Sequence, residues 1–319
     1  MTRYALGIDG GGSKCDAVLM SECGLVAGWG RGGPTHVYYD SPEVIGNSYV
    51  EAITEALSSV EDAEVWVAGP LPEGAPRDAV LARNRLAQHL PASEADTAFA
   101  SAQEEWGLVV LAGTGSFVHG RAPDGRELHF GGQGPILGDY GSAYAIGLLG
   151  LRAAFASGWT ERRRTRLAEA IPSALQVTGL EGVFDRVYVK GITRSEIAAL
   201  ARAVNAEAEV GDRVALGCVH RAADELAEVA IEVIEELDLA GLSLSVIGIG
   251  GVARHCRLWW ERVFQRLSAV AAGARPVIPP MLPAVGAALL ALREMGVEWT
   301  PELIARACEG ASGGALGCR

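Results

Sequence analysis

The stretch Tyr4-Ala-Leu-Gly-Ile-Asp-Gly-Gly-Gly-Ser-Lys-Cys15 joins a short apolar run to an aspartate, three glycines, a hydroxyl and a lysine. Because glycine loses more conformational entropy on ordering than any other residue, the triplet indicates a tight local turn. Such a turn can direct several backbone N–H groups at one anion. Apolar residues resume at positions 17–20, so the stretch predicts a hairpin between two short strands.

Two common nucleotide-binding motifs do not fit this stretch. A Walker A loop needs a lysine followed by serine or threonine, but Ser13 precedes Lys14 and Cys15 follows it. A dinucleotide fingerprint would have glycine or alanine at position 15 and would continue as a helix. Cys15 instead leads into a predicted strand, so the turn is predicted to connect antiparallel strands.

The same order of elements starts again at Leu108, with Gly113-Thr-Gly-Ser116 in the place of the first glycine turn. Two units of the type strand, glycine turn, strand, turn, strand predict a duplicated α/β fold, each half a sheet with flanking helices. The predicted strands are residues 4–8, 17–20, 25–29, 64–68, 108–112, 117–120, 127–130, 243–249 and 276–278. The predicted helices are 42–57, 77–90, 142–155, 195–205, 212–237, one between residue 253 and the last strand, and two that begin at Pro283 and Pro301.

Composition narrows the class of protein. The 319 residues are enough for two cores, 49% are hydrophobic, and the net charge is -12. That charge argues against a nucleic-acid or anionic-membrane partner, although a local nest of amides can still hold a phosphate. The six cysteines follow no disulfide or zinc spacing, and no signal sequence or membrane-spanning run is evident. We therefore expect a cytoplasmic protein with reduced thiols.

Three loops combine glycines with strand ends: residues 9–14, 113–116 and 248–251. One such loop alone is more often a plain turn, but three in one chain favour a phosphate site. The first two are predicted to face each other and to hold a triphosphate through their amides and the hydroxyls of Ser13, Thr114 and Ser116. Asp9 would hold Mg²⁺ through water, because that ion tends to keep its hydration shell.

These three loops resemble the two phosphate motifs and the adenosine motif of the sugar kinase and actin superfamily. Within it, further motifs resemble the N-acetylglucosamine kinase and BadF/BadG/BcrA/BcrD ATPase family. They are Gly131-Gly-Gln-Gly134, Gly138-Asp-Tyr-Gly-Ser-Ala-Tyr144, Val189-Lys-Gly-Ile-Thr193, Gly211-Asp212 and Pro283-Ala-Val-Gly-Ala287. The resemblance implies two RNase H-like (actin-like ATPase) domains with mixed sheets flanked by helices and a cleft between them. Residues 1–107, completed by C-terminal helices at about 283–319, would form one domain, and residues 108–282 the other.

The resemblance also implies an activity. An ATP- and Mg²⁺-dependent kinase would phosphorylate the 6-hydroxyl of a small amino sugar, with N-acetylglucosamine favoured and glucosamine or N-acetylmuramic acid open. The two halves would close over the sugar, and a homodimer is compatible with the sequence. A BadF-type ATPase that activates an iron–sulfur partner, or a non-catalytic sugar or nucleotide sensor, are the alternative classes. The implied ATP-binding residues are Gly10, Gly11, Gly12, Ser13, Lys14, Gly113, Thr114, Gly115, Ser116, Gly250 and Gly251.

Phosphoryl transfer from ATP to the sugar needs a carboxylate that accepts the proton of the sugar hydroxyl, since an alcohol alone is a weak nucleophile. By resemblance this residue is Asp96, in Ala95-Asp-Thr-Ala-Phe-Ala100, shortly before the second glycine turn. Glu94 is the alternative if the alignment is shifted by two residues. A role for Asp96 in capping the following helix is a competing explanation, and both roles are compatible.

Sugar-binding residues follow from the same resemblance. Asp139 would bind sugar hydroxyls, although a helix-capping role competes with this interpretation. Three positions depart from the family pattern, in which glutamate is usual at Tyr140, a large residue at Gln133 and asparagine at His36. These departures lie on the substrate side and leave the choice of sugar open. The full predicted sugar-binding set is His36, Thr114, Gly132, Gln133, Asp139 and Ala143.

Overall fold

Two five-stranded mixed sheets organise the chain, one in each of two units. The computed structural model describes residues 2–313, with side chains to residue 310. The first unit comprises Met1–Glu105 and Pro279–Arg319, and the second comprises Trp106–Ile278. The last six residues of the predicted C-terminal helical segment, 314–319, lie outside the described residues.

The first sheet has the strand order β3-β2-β1-β4-β5. β1 pairs antiparallel with β2, and β2 with β3, whereas β1, β4 and β5 run parallel to one another. The parallel half needs crossover connections, and helices supply them. The strands are β1 (Arg3–Gly10), β2 (Cys15–Ser21), β3 (Val26–Gly32), β4 (Glu64–Ala68) and β5 (Arg85–Leu90).

The second sheet repeats this arrangement with the order β8-β7-β6-β9-β10. Its first three strands in the chain pair antiparallel, and β6, β9 and β10 run parallel. The predicted duplication and the predicted α/β fold class are therefore confirmed. The strands are β6 (Gly107–Ala112), β7 (Ser116–Arg121), β8 (Glu127–Gly131), β9 (Ser245–Ile249) and β10 (Arg275–Val277).

Both faces of the first sheet are buried. Along β1, Ala5 faces one apolar cluster and Leu6 faces the other, because successive side chains of a strand point to opposite faces. Helix α1 covers the Leu6 face, and α12 and α13 from the end of the chain cover the Ala5 face. The helices of this unit are α1 (Pro42–Ala56), α2 (Ala75–Leu81), α3 (Glu94–Ala102), α12 (Pro283–Glu294) and α13 (Pro301–Gly313).

The second sheet packs against a larger set of helices. The long helix α9 (Arg213–Glu236) buries an apolar stripe against β7, α4 and α11, and Trp259 on α11 is fully buried in the same core. The other helices of the unit are α4 (Ala143–Ala156), α5 (Leu167–Ala174), α6 (Gly179–Tyr188), α7 (Arg194–Ala199), α8 (Ala201–Glu209), α10 (Gly250–His255) and α11 (Arg257–Val270).

One predicted helix is wrong. Residues 77–90 do not form a single helix, because α2 ends at Leu81 and Arg85–Leu90 forms the edge strand β5. The Arg85 N–H donates to the carbonyl of Ala63, which starts the parallel pairing with β4. Pairing with a neighbouring strand, which local propensity does not encode, decides this segment. Helices α5 and α6 were also not predicted.

Among residues 2–313, none of the helices combines the length and the apolar character that crossing a bilayer requires.

Candidate active site

The first turn, residues 10–14, connects β1 to β2 as the sequence predicts. Gly10 pairs with Cys15, and the Gly11 N–H donates to the Lys14 carbonyl at 2.9 Å. Asp9 lies one residue before the turn, directly opposite Asp16 on the neighbouring strand. The hairpin therefore places two carboxylates side by side at the base of a glycine turn.

Asp16 is the buried acid of the first turn, and two cations reach it from the surface. Arg31 Nε lies 2.7 Å from Oδ1 of Asp16, and Lys14 Nζ contacts Oδ2. The Lys14 and Arg31 side chains are 47% and 46% exposed. Desolvation, followed by the charge of Asp16, raises the pKa of Asp9 to about 6, and Lys14 partly opposes this effect. The Asp9 carboxylate thus lies where an added cation would be stabilised.

The predicted sugar segment around His36 is hydrogen-bonded to the first turn. Thr35 donates from its N–H (3.0 Å) and from Oγ1 (3.3 Å) to the carbonyl of Gly11. His36 Nδ1 accepts from the Tyr38 N–H at 3.3 Å, which places the proton of the neutral ring on Nε2. His36 itself is half-buried.

The second turn, residues 113–116, connects β6 to β7 and is bonded at both ends to the segment that follows β8. The Ala143 N–H donates to the Gly113 carbonyl (2.8 Å), and the Gly132 N–H donates to the Ser116 carbonyl (2.9 Å). Ser116 Oγ donates to the Tyr140 carbonyl at 2.6 Å. Gly132 and Ala143, predicted from sequence as sugar residues, therefore lie beside the predicted phosphate turn.

Asp139 is buried beneath the second turn. It has a left-handed backbone (φ 56°), and its side chain is only 3% exposed. Its Oδ1 accepts from the Ser116 N–H at 3.1 Å, and its Oδ2 accepts from Arg194 Nη2 at 2.8 Å. The helix-capping explanation does not hold, because Ser142 is the N-cap of α4. Arg194 was not predicted from sequence.

The third loop lies against the start of the second turn. Gly250 has φ 90°, and a Cβ at this position would lie 2.4 Å from the Ala112 carbonyl oxygen. Only glycine allows this close backbone approach at a positive φ. Gly251 follows as an exposed residue, and a Cβ there would meet no atom within 4 Å, which leaves room beside its backbone. The structure thus gathers the second and third predicted nucleotide loops within one unit.

The two candidate bases lie in the first turn of α3 and have different surroundings. Asp96 belongs to a capping box, in which its Oδ2 accepts from Ser93 N (2.9 Å) and from Ser93 Oγ (2.7 Å). Glu94 is an exposed residue whose carboxyl group is nevertheless desolvated by the protein around it. This partial desolvation, with the charge of Asp9 added, raises the pKa of Glu94 to about 8.

The family model for the BadF/BadG/BcrA/BcrD ATPase family matches residues 6–291. An N-acetylmuramic acid/N-acetylglucosamine kinase of Clostridium acetobutylicum is 29% identical over 272 residues, which is 81% of this chain and 88% of that protein. An N-acetyl-D-glucosamine kinase of Dictyostelium discoideum is 26% identical over 310 residues, 90% of this chain and 97% of that protein.

Solved structures show the same fold. A Chromobacterium violaceum protein assigned as an N-acetylglucosamine kinase aligns with a TM-score of 0.64 at 22% identity, covering 91% of this chain and 99% of that one. A ROK family glucokinase from Streptomyces griseus, in complex with glucose and AMPPNP, aligns with a TM-score of 0.55 at 14% identity. This alignment covers 92% of the present chain and 98% of the glucokinase.

Proposed function

The chain belongs to the BadF/BadG/BcrA/BcrD ATPase family and is an ATP-dependent sugar kinase, and we propose that it phosphorylates the 6-hydroxyl of an amino sugar. N-acetylglucosamine is the proposed first substrate, with N-acetylmuramic acid second, because both sugars occur in the name of the Clostridium relative. Glucosamine is a third candidate. The observation that carries the proposal is the pair of equivalent glycine turns on two sheets of equivalent strand order.

Each turn has a defined part in holding ATP. In the first turn the proposed phosphate ligands are the amides of Gly12 and Ser13, the Ser13 hydroxyl and Lys14, whose ammonium group Asp16 positions. The Gly11 N–H already donates to the Lys14 carbonyl, so Gly10 and Gly11 contribute by shaping the turn. In the second turn they are the backbone N–H groups of Thr114 and Gly115 and the Thr114 hydroxyl. Both donors of Ser116 are engaged by Asp139 and Tyr140, so Ser116 contributes by shaping the turn. Gly250 and Gly251 are proposed to lie against the adenosine.

Mg²⁺ fits the donor chemistry at Asp9. A carboxylate whose pKa is raised to about 6 by desolvation and by Asp16 is short of compensating positive charge, and a divalent cation would supply it. Mg²⁺ prefers oxygen ligands and keeps several waters, so one carboxylate with the ATP phosphates is a sufficient ligand set. When bound, the ion would neutralise negative charge on the phosphate oxygens.

We assign the general base to Glu94 in preference to the sequence-based prediction of Asp96. The Asp96 carboxylate already accepts two hydrogen bonds from Ser93, whereas Glu94 is an exposed residue whose pKa desolvation and the charge of Asp9 raise to about 8. In the proposed step, the Glu94 carboxylate takes the proton of the sugar 6-hydroxyl while the oxygen of that hydroxyl forms a bond to the γ-phosphorus. The bond from that phosphorus to the ADP oxygen breaks, and ADP leaves.

Sugar recognition rests on side chains that face solvent. His36 is proposed to lie beside the sugar, and the exposed Gln133 offers both donor and acceptor groups. Gly132 and Ala143 are proposed to line the same subsite as Gln133, together with Thr114. Each carboxylate oxygen of Asp139 already accepts one hydrogen bond, from Ser116 or from Arg194. Asp139 is still a proposed sugar ligand, because each oxygen can accept a second hydrogen bond.

A coupled assay for ADP release tests the substrate. We expect release to depend on an added amino sugar, with N-acetylglucosamine fastest among N-acetylglucosamine, N-acetylmuramic acid, glucosamine and glucose. ADP release of equal rate without sugar would favour the ATPase class, and ATP binding without any turnover would favour the sensor. An ATPase that activates an iron–sulfur partner would in addition give a brown, oxygen-sensitive protein.

Matched variants test the base in the same assay. Glu94→Gln should lower kcat by about 10²–10⁴ fold, the usual contribution of a general base. Asp96→Asn should keep kcat within about threefold while lowering stability by about 1 kcal/mol through the weakened cap. The wild-type kcat/KM should rise with pH up to about 8, because the carboxylate form of Glu94 is the active one. The reverse pattern of the two variants would return the role to Asp96.

A further inference from the structure

Asp139 and Arg194 form a largely buried ion pair, and the sugar kinase reaction as described above gives Arg194 no part. The side chains are 3% and 13% exposed, and Arg194 Nη2 lies 2.8 Å from Oδ2 of Asp139. A carboxylate taken out of water needs a partner, since an unpaired buried charge is strongly unfavourable. Arg194, the first residue of α7, is therefore the group that allows Asp139 to be charged beneath the second turn.

The pair acts directly on the backbone of the second turn. The other carboxylate oxygen of Asp139 accepts from the Ser116 N–H at 3.1 Å, so this amide is oriented by the acid. A Cβ on Gly115 would lie 2.7 Å from Asp139 Oδ1 and also 2.7 Å from Arg194 Nη2. The ion pair thus fills the space immediately behind Gly115 and leaves no room for a side chain at that position in the present turn conformation.

Charge neutralisation is the second effect of Arg194. A lone carboxylate bonded to the last amide of the turn would repel an anion bound on the other amides of the same turn. The guanidinium cancels that charge and donates to it in a fixed planar geometry. Removal of Arg194 would therefore both loosen the turn and place an unfavourable negative charge beside it.

We propose that Arg194 is a positioning residue for ATP, which acts through Asp139 to hold the Gly113–Ser116 turn in its phosphate-binding conformation. The inference rests on the proposed function in one respect, that this turn binds ATP phosphates. It assigns the main role of Asp139 to the turn. A direct role of Asp139 in sugar binding predicts a different pattern of variants, because Arg194 would then have no effect on ATP.

The test measures ATP affinity by calorimetry in the absence of sugar, and then kcat and both KM values. The variants are Arg194→Gln, Asp139→Asn, the double variant and Arg194→Lys. Arg221→Gln is the matched control, because Arg221 forms an exposed ion pair with Glu225 on α9 of the same unit. We expect Arg194→Gln to weaken ATP binding by about tenfold or more, Arg194→Lys to restore part of it, and the control to change nothing.

The double variant separates the pair from its parts. If the two residues act as one unit, its ATP affinity should lie between that of Arg194→Gln and that of the wild type, because the uncompensated charge is gone but the Ser116 N–H has lost its carboxylate acceptor. It removes both charges, so it carries the test should Arg194→Gln fail to fold. Unchanged ATP affinity in the folded double variant, or a rise only in the KM for sugar with Asp139→Asn, would overturn the inference. A protein that binds ATP in this pattern but phosphorylates no sugar would contradict the proposed function alone.

Discussion

The first and second turns occupy equivalent places in two sheets of equivalent order, yet different groups support them. At the first turn the buried acid Asp16 is paired with Lys14 and Arg31, whose side chains are about half exposed. At the second turn the buried acid Asp139 is paired with Arg194, whose side chain is only 13% exposed. The duplication therefore repeats the topology of the backbone and not the electrostatics beneath it.

The difference separates two tasks. The first turn keeps an incompletely compensated carboxylate, Asp9, next to half-exposed cations, which suits a site that takes up a metal ion. The second turn is neutralised internally and fixed at both ends by hydrogen bonds, which suits a rigid anion cradle. The same hairpin topology thus suits a metal-binding site in the first unit and a rigid anion-binding turn in the second.

The largest expected effect comes from removing one cation from each turn. Arg194→Gln leaves the buried Asp139 unpaired and should lower the free energy of unfolding by about 3–5 kcal/mol. Arg31→Gln leaves Lys14 on Asp16 and removes a half-exposed group, so its cost should be about 0–1 kcal/mol. Urea unfolding followed by circular dichroism measures both. Equal losses would show that the two turns are supported in the same way.

A smaller effect is expected from adding a methyl group to each turn. In Gly115→Ala the new Cβ meets Asp139 and Arg194 at 2.7 Å, and overpacking of this kind costs about 1–3 kcal/mol. In Gly11→Ala the nearest atom to the new Cβ, apart from the adjoining residues, is the Lys14 carbonyl oxygen at 3.6 Å, an ordinary contact, so stability should change by less than about 0.5 kcal/mol. Thermal melting without ATP compares the pair, and a greater loss for Gly11→Ala would contradict the packing described.

The smallest effect concerns the pH dependence of the first turn. The raised pKa of Asp9 means that the folded state favours the protonated carboxyl group. Its contribution to the free energy of unfolding is therefore fully present below about pH 4 and is lost as the pH rises through about 6. Asp9→Asn should therefore be more stable than the wild type near pH 7.5, by about 1 kcal/mol after allowance for solvent screening. Mg²⁺ should raise the melting temperature of the wild type more than that of the variant.

Asp124 provides a control with the opposite sign. Hydrogen bonds from the backbone and side chain of Arg126 lower the pKa of this exposed acid, so its charged form is the one favoured by folding. Asp124→Asn should consequently give no stabilisation at any pH. A wild type that is more stable than Asp9→Asn near pH 7.5 without Mg²⁺ would show that Asp9 already has adequate compensation.

The sequence was sufficient for the duplicated topology and for the position of each turn, because both depend on local patterns. Short continuous apolar runs joined by glycine turns identify the hairpins, and the Asp9 stretch fits no βα turn. Residues 85–90 were assigned to a helix, because their edge-strand state depends on pairing with β4. The family resemblance extended the prediction to most of the candidate site, where the structure now gives each residue its neighbours.

The side chains that support the second turn could not be predicted from the sequence. Arg194 and Asp139 are 55 residues apart, and nothing in the motif around Thr193 indicates that the next side chain reaches the second turn. The choice between Glu94 and Asp96 depends on which carboxylate Ser93 engages, and here the capping-box pattern Ser93-Glu-Ala-Asp96 was a usable signal for Asp96 that the sequence-based prediction did not apply. A charged residue inside the apolar strand β2 was a usable signal for Asp16, since such a group is buried only with partners.

Identification of the product is the most direct test of the central claim that this protein is a 6-kinase for an amino sugar. The wild type would be incubated with ATP, Mg²⁺ and N-acetylglucosamine, and the product analysed by phosphorus and carbon NMR, with Glu94→Gln beside it. We predict one phosphate ester at the C6 oxygen, formed in step with ADP and nearly absent from the variant. A phosphate on another hydroxyl, or ADP formed without any sugar ester, would contradict the proposed reaction.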